Sequence, residues 1–573
     1  MKKIIVVLVV FMMLFSLFNV YTINASAEDI SGSCGDNLTW NFNSDSGELV
    51  ISGSGKMKYA RVPWENYKGD IKTVTIEDGV ENIGFEAFNF ATELTNLTIP
   101  NSVVLIDKYA FGHCDSLKSV TIPPSVRTIK YGAFGSDYKI TDVYISDLAL
   151  WCTLDFEGLG SSPIFDGANL YLNGELLTDV VIPDTVETLN PHAFSGCGSL
   201  KTLSVGNGIT VIKNSSFANC KNLTDVTISD SVTVIEGMAF NECKALTNVT
   251  LSKNLESIEH SLFSGCSKLE SIIIPESVTS IGRYSFYETG LKSVNIPEKV
   301  SSIENYAFAF CKGLKEVKLG KELSSIGEDA FARCDNLTNI DIPDSVKKIG
   351  LSAFLGCDKL FQWENGVCYV DKWAIGAEMN YNFSTFELRE DTVGIADNAF
   401  YHSLSIRDNI TFPDSLKYVG KKAFEDCSYL KTVSIPGSVK FIDSYAFYRD
   451  TKTELKVFYL GSSDEWKNVE LGEKVCNSFV RIHPEHNFSS EKVVVGATYD
   501  EEGIKVYTCQ CGETKTESIP KITVATTATA APATTIPEAI NDDGCSSSLT
   551  LGAGIAILAV GAAALTVCKK KEN

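Results

Sequence analysis

The sequence predicts a repeat solenoid, mainly β with short helical turns, and three observations carry that prediction. Ala-Phe followed by cysteine recurs at a fixed period: Ala110-Phe111 precedes Cys114, Ala239-Phe240 precedes Cys243, and Ala330-Phe331 precedes Cys334. The repeat phenylalanines are Phe88, Phe111, Phe134, Phe194, Phe217, Phe240, Phe263, Phe286, Phe308, Phe331, Phe354, Phe400, Phe424 and Phe447, most of them 23 residues from the next. Nine of the 17 cysteines (Cys114, Cys197, Cys220, Cys243, Cys266, Cys311, Cys334, Cys357 and Cys427) hold one position, three after the phenylalanine. A period of roughly 20 to 50 residues marks a stacked array, in which a single unit cannot bury its own apolar face.

The elements of one unit follow from Leu337 to Cys357. Ile340 and Ile342 alternate with polar residues, as in a short half-buried strand. Pro343 ends that strand because it has no N–H for a continuing ladder. Val346 and Ile349 start a second inward-facing stretch, and Gly350 permits a tight bend. The Ala-Phe-x-x-Cys-x-x-Leu run has near-helical spacing and is long enough only for a turn or a one- to two-turn helix. One cysteine per coil at a fixed position describes a buried column of small apolar side chains, so a ladder of thiols is expected rather than a disulfide framework.

These residues resemble the BspA-like leucine-rich repeats of bacterial surface proteins, over roughly residues 71 to 450. The carrying pattern is Ser-Val-x-x-Ile-Gly-x-x-Ala-Phe-x-x-Cys-x-x-Leu-x-x-Val-x-Ile-Pro. The stretch from Ser33 to Trp40, with Gly47 to Gly55 and Pro63-Trp64, is similar to the N-terminal cap of such proteins. Asp147 through Trp151-Cys152 to Gly174 is similar to an insertion that recurs in them. The resemblance implies a leucine-rich-repeat array with a cell-surface adhesion or interaction role.

Around the array, the expected organisation is a signal peptide at 1–27, a β cap at 28–70, and the solenoid at 71–450 with insertions at about 147–177 and 361–386. A C-terminal cap at 451–482 and a small Cys-containing β module at 483–522 follow. The start is basic (Lys2-Lys3), Ile4 to Phe18 is apolar, and Ala25-Ser26-Ala27 is a small-residue cleavage pattern. Residues 523–548 form a Thr/Ala/Pro stalk whose composition does not pack. Leu549 to Cys568 carries no charge and precedes Lys569-Lys570-Lys571. About twenty apolar residues span a bilayer, and the lysines place 569–573 in the cytoplasm. The expectation is therefore a single-pass membrane protein with residues 28–548 outside.

A formal charge of −22 excludes nucleic acid as a partner, since phosphates demand a basic face. Extracellular protein and glycan ligands remain open. The candidate surface is the residue between the two inward positions of each strand: Thr75, Thr98, Thr121, Val181, Ser204, Thr227, Thr250, Ile273, Asn295, Lys318, Asp341, Thr411 and Ser434. Such a hydroxyl-rich strip suits an extended protein or glycan; the plainer reading is that Thr simply favours strands and pairs with itself. All six tryptophans lie outside regular coils. Trp40, Trp64 and Trp466 read as core-closing residues of terminal coils. Trp151, Trp363 and Trp373 sit in insertions, which project loops, so they are candidate ligand contacts as well as packing residues.

No motif of known catalytic chemistry is visible, and no enzyme activity, cofactor or metal is expected. The one cluster with ligand chemistry is His483, His486, Cys509 and Cys511. Cys509-Gln-Cys511 is one residue short of a Cys-x-x-Cys knuckle, and a small β module with unligated or bridged cysteines is the competing reading. The function expected is an anchored, adhesin-like surface binder. A passive envelope spacer and a surface hydrolase built on an insertion are the alternatives.

Overall fold

The computed structural model describes residues 29–521, apart from 59–60, 136–138, 159, 379–380, 382, 384, 451–454, 477–479, 483–489, 496–501 and 509–513. The expected signal peptide, stalk, membrane span and cytoplasmic tail lie outside the described residues, as do His483, His486, Cys509 and Cys511. The chain divides into two units, one ending at Gln362 and one starting at Trp363.

In the first unit, strands Asp29–Ser33, Leu38–Asn43 and Glu48–Gly53 form an antiparallel meander. The last of them pairs in parallel with Thr73–Ile76, setting Leu49 opposite Val74 and Ile51 opposite Ile76. The cap thus covers the edge that the first coil would otherwise expose. Most coils then contribute a leading strand and a two-residue second strand in parallel register with the next coil, though the stretch around Ile273 forms no leading strand. Thr202–Val205 pairs with Asp225–Ile228, and Val211–Ile212 with Val234–Ile235. Between them the proline turn closes by a backbone bond, as from Val278 N–H to the Pro275 carbonyl (3.1 Å). In several coils the serine before the valine donates to the preceding coil, Ser277 to the Leu255 carbonyl and Ser345 to that of Leu323, each at 2.7 Å.

The third side corrects the helical expectation. The Ala-Phe-x-x-Cys segments form turns, and the residues two before and two after most of the repeat phenylalanines take positive φ, for example Ser215 (56°) and Asn219 (60°) around Phe217. A helix would turn each N–H back onto its own chain. Here the amides of the phenylalanine and of both left-handed residues donate to the next coil. Ser215 bonds to Gly237 at 3.2 Å, Phe217 to Ala239 at 2.9 Å and Asn219 to Asn241 at 2.7 Å. Two left-handed residues cost about 2–4 kcal/mol per coil, comparable to the gain of about 1.5–3 kcal/mol from burying one phenylalanine. The turn therefore stands only where a neighbouring coil accepts its donors. Gly350 serves close approach rather than a special φ: a Cβ there would lie 2.5 Å from the Glu328 nitrogen of the preceding coil.

The phenylalanines stack face to face, Phe194 through Phe354 without a break, with ring centroids 5.1–5.7 Å apart. The cysteines are more than apolar filler. All of the nine but Cys197, which lies against the Ser199 hydroxyl, donate the thiol to the phenylalanine carbonyl of the preceding coil, as Cys243 to Phe217 (3.2 Å), Cys266 to Phe240 (3.2 Å) and Cys334 to Phe308 (3.2 Å). The Phe240 carbonyl also accepts from the Cys243 N–H (3.4 Å), so both its lone pairs are used. Cys220, Cys243, Cys266, Cys334 and Cys357 are thiols, not disulfides, and all are buried.

The first insertion does not project a loop; it is an enlarged coil that keeps the stack's register. Helix Leu148–Cys152 is N-capped by the Asp147 carboxylate, which accepts from Leu150 N–H at 2.9 Å. Asp155–Phe156 continues the second-strand ladder, and Asn169–Leu172 continues the leading one. The sheet ends in a hairpin, Asn169–Leu172 against Glu175–Leu176, turned by Asn173 and Gly174 at φ 52° and 88°.

In the second unit, the hairpin of Val367–Val370 and Trp373–Ala377 begins the stack, its second strand pairing in parallel with Gly394–Ile395. Phe400, Phe424 and Phe447 stack at 5.0 and 5.6 Å, and Cys427 donates to the Phe400 carbonyl at 3.1 Å. The unit also contains an antiparallel sheet of Ser490–Val495, Gly503–Thr508 and Thr514–Ile519.

Burial pushes the Cys311 thiol up from 9.0 to about 11 and the Cys427 thiol to about 12. A folded-state value above the unfolded one stabilises fully below the unfolded value and ceases to do so as pH rises through the folded value. The contribution of these two thiols to folding stability in reducing buffer should therefore be flat below about pH 9 and fall above it, by about 1.4 kcal/mol per pH unit for each of the two. Urea midpoints across that range check this; a midpoint unchanged at high pH contradicts it.

Candidate binding surface

The candidate strip lies on the outer face of the leading strands, because inward Val, Ile and Leu alternate with it. Thr75 pairs with Thr98, Ser204 with Thr227, Thr227 with Thr250, and Asn295 with Lys318. Thr98, Thr121, Thr227 and Thr250 are exposed and Thr75 half-buried. Val181 and Ile273 stand far out of the face, at 65% and 85% exposure. Ser434 departs from the strip's pattern and is buried.

A second threonine row separates scaffold from surface. Thr95, Thr224 and Thr247 donate their hydroxyls to preceding-coil carbonyls, of Lys72, Lys201 and Thr224, at 3.1 Å. The hydroxyls of Thr75, Thr98, Thr121, Thr227 and Thr250 make no such bond among the described residues. Two residues earlier on the same face, carboxylates are pinned between coils. Thr202 and Thr178 donate to Asp179 at 2.6 and 2.7 Å and hold its pKa below the ordinary range. Asn248 donates to Asp225 at 2.7 Å, and with Thr224 beside it that carboxylate is likewise held below the ordinary range. Ionised carboxylates and free hydroxyls on paired strands can recognise hydrogen-bond donors along an extended ligand.

Two residues of this face were missed by the threonine reading. Tyr144 stands opposite Thr121, and Tyr171 opposite Tyr144, their rings stacked 4.8 Å apart at 25°. The Asp142 carboxylate accepts from the Thr141 hydroxyl (2.7 Å) and the Asn169 amide (3.4 Å), and its negative charge beside Tyr171 pushes that phenol's pKa up. Partial burial raises the Asp142 pKa, and these polar neighbours more than offset it, leaving it lowered. Tyr144 is readable at one period from Thr121; Tyr171 is hidden because the enlarged coil breaks the count.

The tryptophans are placed differently from the strip. Trp151 is 2% exposed and donates its indole N–H to the Ala193 carbonyl at 2.7 Å. Trp64 does the same to Ala87 at 2.8 Å and stacks on Phe88. In regular coils that carbonyl is served by the phenylalanine N–H of the preceding coil, so each indole replaces a missing donor at the start of a phenylalanine stack. Trp373 is buried against Tyr418, with rings 6.1 Å apart, and Trp363 is half-buried. Trp151 and Trp373 thus offer no face to a ligand. Among the described residues no three His, Cys, Asp or Glu side chains are grouped to hold a metal ion.

A family profile described as "BspA type Leucine rich repeat region (6 copies)" matches residues 65–150, 167–289, 279–366 and 376–465, more than half of the chain. The chain belongs to the BspA-type leucine-rich repeat family. Among solved structures, this BspA-type chain is similar to a leucine-rich repeat protein from Bacteroides ovatus, at 22% identity and TM-score 0.39, covering 74% of this chain and 98% of that one. A leucine-rich repeat protein from Eubacterium ventriosum matches at 22% identity and TM-score 0.36, over 57% and 95%. A leucine rich cell surface protein from Faecalibacterium prausnitzii matches at 21% identity and TM-score 0.30, over 78% and 99%. No curated protein matches the chain.

Trp64→Phe and Trp151→Phe keep an aromatic ring while leaving a buried carbonyl without its donor. Each should lower the unfolding free energy by about 1–3 kcal/mol. Urea denaturation followed by circular dichroism measures this, and an unchanged midpoint in both variants contradicts the donor-replacement role.

Proposed function

We propose that this BspA-type chain is an adhesin-like binder anchored in the cell membrane, holding an extracellular protein or glycan along the outer face of its leading strands. The observation that carries this reading is the row of strip hydroxyls left unspent beside a second row that the scaffold consumes. A passive spacer needs only the second row. The Ala25-Ser26-Ala27 pattern supports export, and the uncharged stretch from Leu549 to Cys568 before three lysines supports anchoring with residues 28–548 outside. The family supports a repeat scaffold that binds rather than transforms its partner. Many shallow contacts along the coils, multiplied over many copies on one cell, supply strength by avidity.

The test is adhesion of cells displaying the full chain to extracellular-matrix and glycan surfaces. Thr98→Glu and Thr227→Glu, both on exposed strand positions, should each weaken retention by about tenfold without lowering the melting temperature. If wild-type cells adhere to nothing, and cells lacking the protein change envelope shape instead, the spacer reading replaces this one.

A further inference from the structure

The strip of the first sheets is not uniform along its length. It runs Thr75, Thr98, Thr121, Tyr144 and Tyr171, each opposite the next or on the neighbouring strand, and then meets Leu176 across the terminal hairpin. Leu176 is 46% exposed, and both tyrosines are half-exposed. A hydroxyl row thus leads into an apolar platform of two stacked rings and one aliphatic side chain.

The platform is ordered by its own sheet. Tyr144 and Tyr171 stack on each other at 4.8 Å from directly paired strands, and two residues before Tyr144 the Asp142 carboxylate is held by Thr141 and Asn169. The Asn173-Gly174 turn folds the hairpin so that Leu176 lies opposite Tyr171. Rings stacked before binding lose little freedom on binding, which turns contact area into affinity.

We propose that Tyr144 and Tyr171, with Leu176 beside them, form a docking platform for a linear, uncharged saccharide chain. The proposal rests on the surface-binding reading above and assigns a ligand class to one end of that surface. Three observations select this occupant. The strip residues of these sheets, Thr75, Thr98, Thr121, Tyr144 and Tyr171, carry no charge, so neither a polyanion nor a polycation finds a run of opposite charge along them. Sugar rings present apolar C–H faces to aromatic rings and hydroxyls to their rims; stacked rings followed by free threonine hydroxyls match that alternation. An added peptide strand finds no free backbone edge at either tyrosine, because Asp142–Ile145 and Asn169–Leu172 are each paired on both sides; the sheet's edge is the two-residue strand Glu175–Leu176. The nearby depression, about 250 Å³, is lined by Ile122, Pro123, Pro124, Leu150, Trp151 and Leu154 among others, and not by either tyrosine, so it offers the platform no anchor pocket.

The experiment measures binding of the detergent-solubilised full chain to a panel of neutral linear hexasaccharides (a β-glucan, an α-glucan, a mannan and a chito-oligomer). Heparin and polylysine serve as charged controls. The wild type should bind at least one neutral hexasaccharide with little dependence on salt. Tyr144→Ala and Tyr171→Ala should each weaken that binding by at least about tenfold, and Tyr171→Phe should weaken it less. Melting temperatures of every variant guard against misfolding as the cause. Saccharide binding indifferent to both alanine variants overturns the platform, and so does failure to bind any member of the panel. Polylysine or peptide binding lost in those variants, with no saccharide bound, overturns it in favour of a protein ligand. A ligand lost through Thr98→Glu yet indifferent to Tyr171→Ala leaves the general surface reading standing. A wild type that binds nothing on the panel or in the adhesion assay sinks both.

Discussion

Everything in this chain depends on the phenylalanine amide donating out of its own coil. In a helix or an isolated turn that N–H would be satisfied locally; here Phe217 gives it to Ala239 and Phe331 gives it to Ala353. A coil therefore cannot complete its own turn, and its two left-handed residues are affordable only beside a neighbour. The cysteine thiol closes the same exchange from the other direction, donating back to the preceding phenylalanine carbonyl. Stacking is then a condition of the backbone's hydrogen bonding as well as of apolar burial. This accounts for the tryptophans, since an indole N–H is a side-chain donor that reaches where no preceding backbone amide exists.

That constraint also decides which residues are free to recognise anything. Cysteines, the serines after the proline turn and one of the two threonine rows are committed to coil-to-coil bonds. Asp179 and Asp225 are partly committed, held ionised by their neighbours' hydroxyls and amides. What remains is the outer row of the leading strands, and within it the positions where a repeat has departed from threonine. The enlarged coil matters because it adds Tyr171 and Leu176 to that row while keeping the ladder's register.

The period, the strands and the thiol column were legible in the sequence because each is written many times at one spacing. The turn was not. Ala-Phe-x-x-Cys has the same apolar spacing in a short helix and in a turn whose donors go elsewhere, and local sequence does not say which carbonyl an amide will find. The strip's hydroxyl rows were readable as positions, but their division into bonded and unbonded rows needed coordinates. Trp151 in an insertion looked like a candidate contact, whereas its partner, Ala193, lies 42 residues away in sequence. Tyr144 could have been counted at one period from Thr121; Tyr171 could not, because an insertion of unknown geometry intervenes.

The most direct test of the coil-to-coil account is native-state hydrogen exchange resolved at the phenylalanine amides. Phe217, Phe240, Phe263 and Phe331 should exchange as slowly as the leading-strand amides of Val226 and Val317, because all are released only when neighbouring coils part. Phenylalanine amides that exchange quickly while those strand amides stay protected would show that the turns close on themselves, and the account of why the coils must stack would fail.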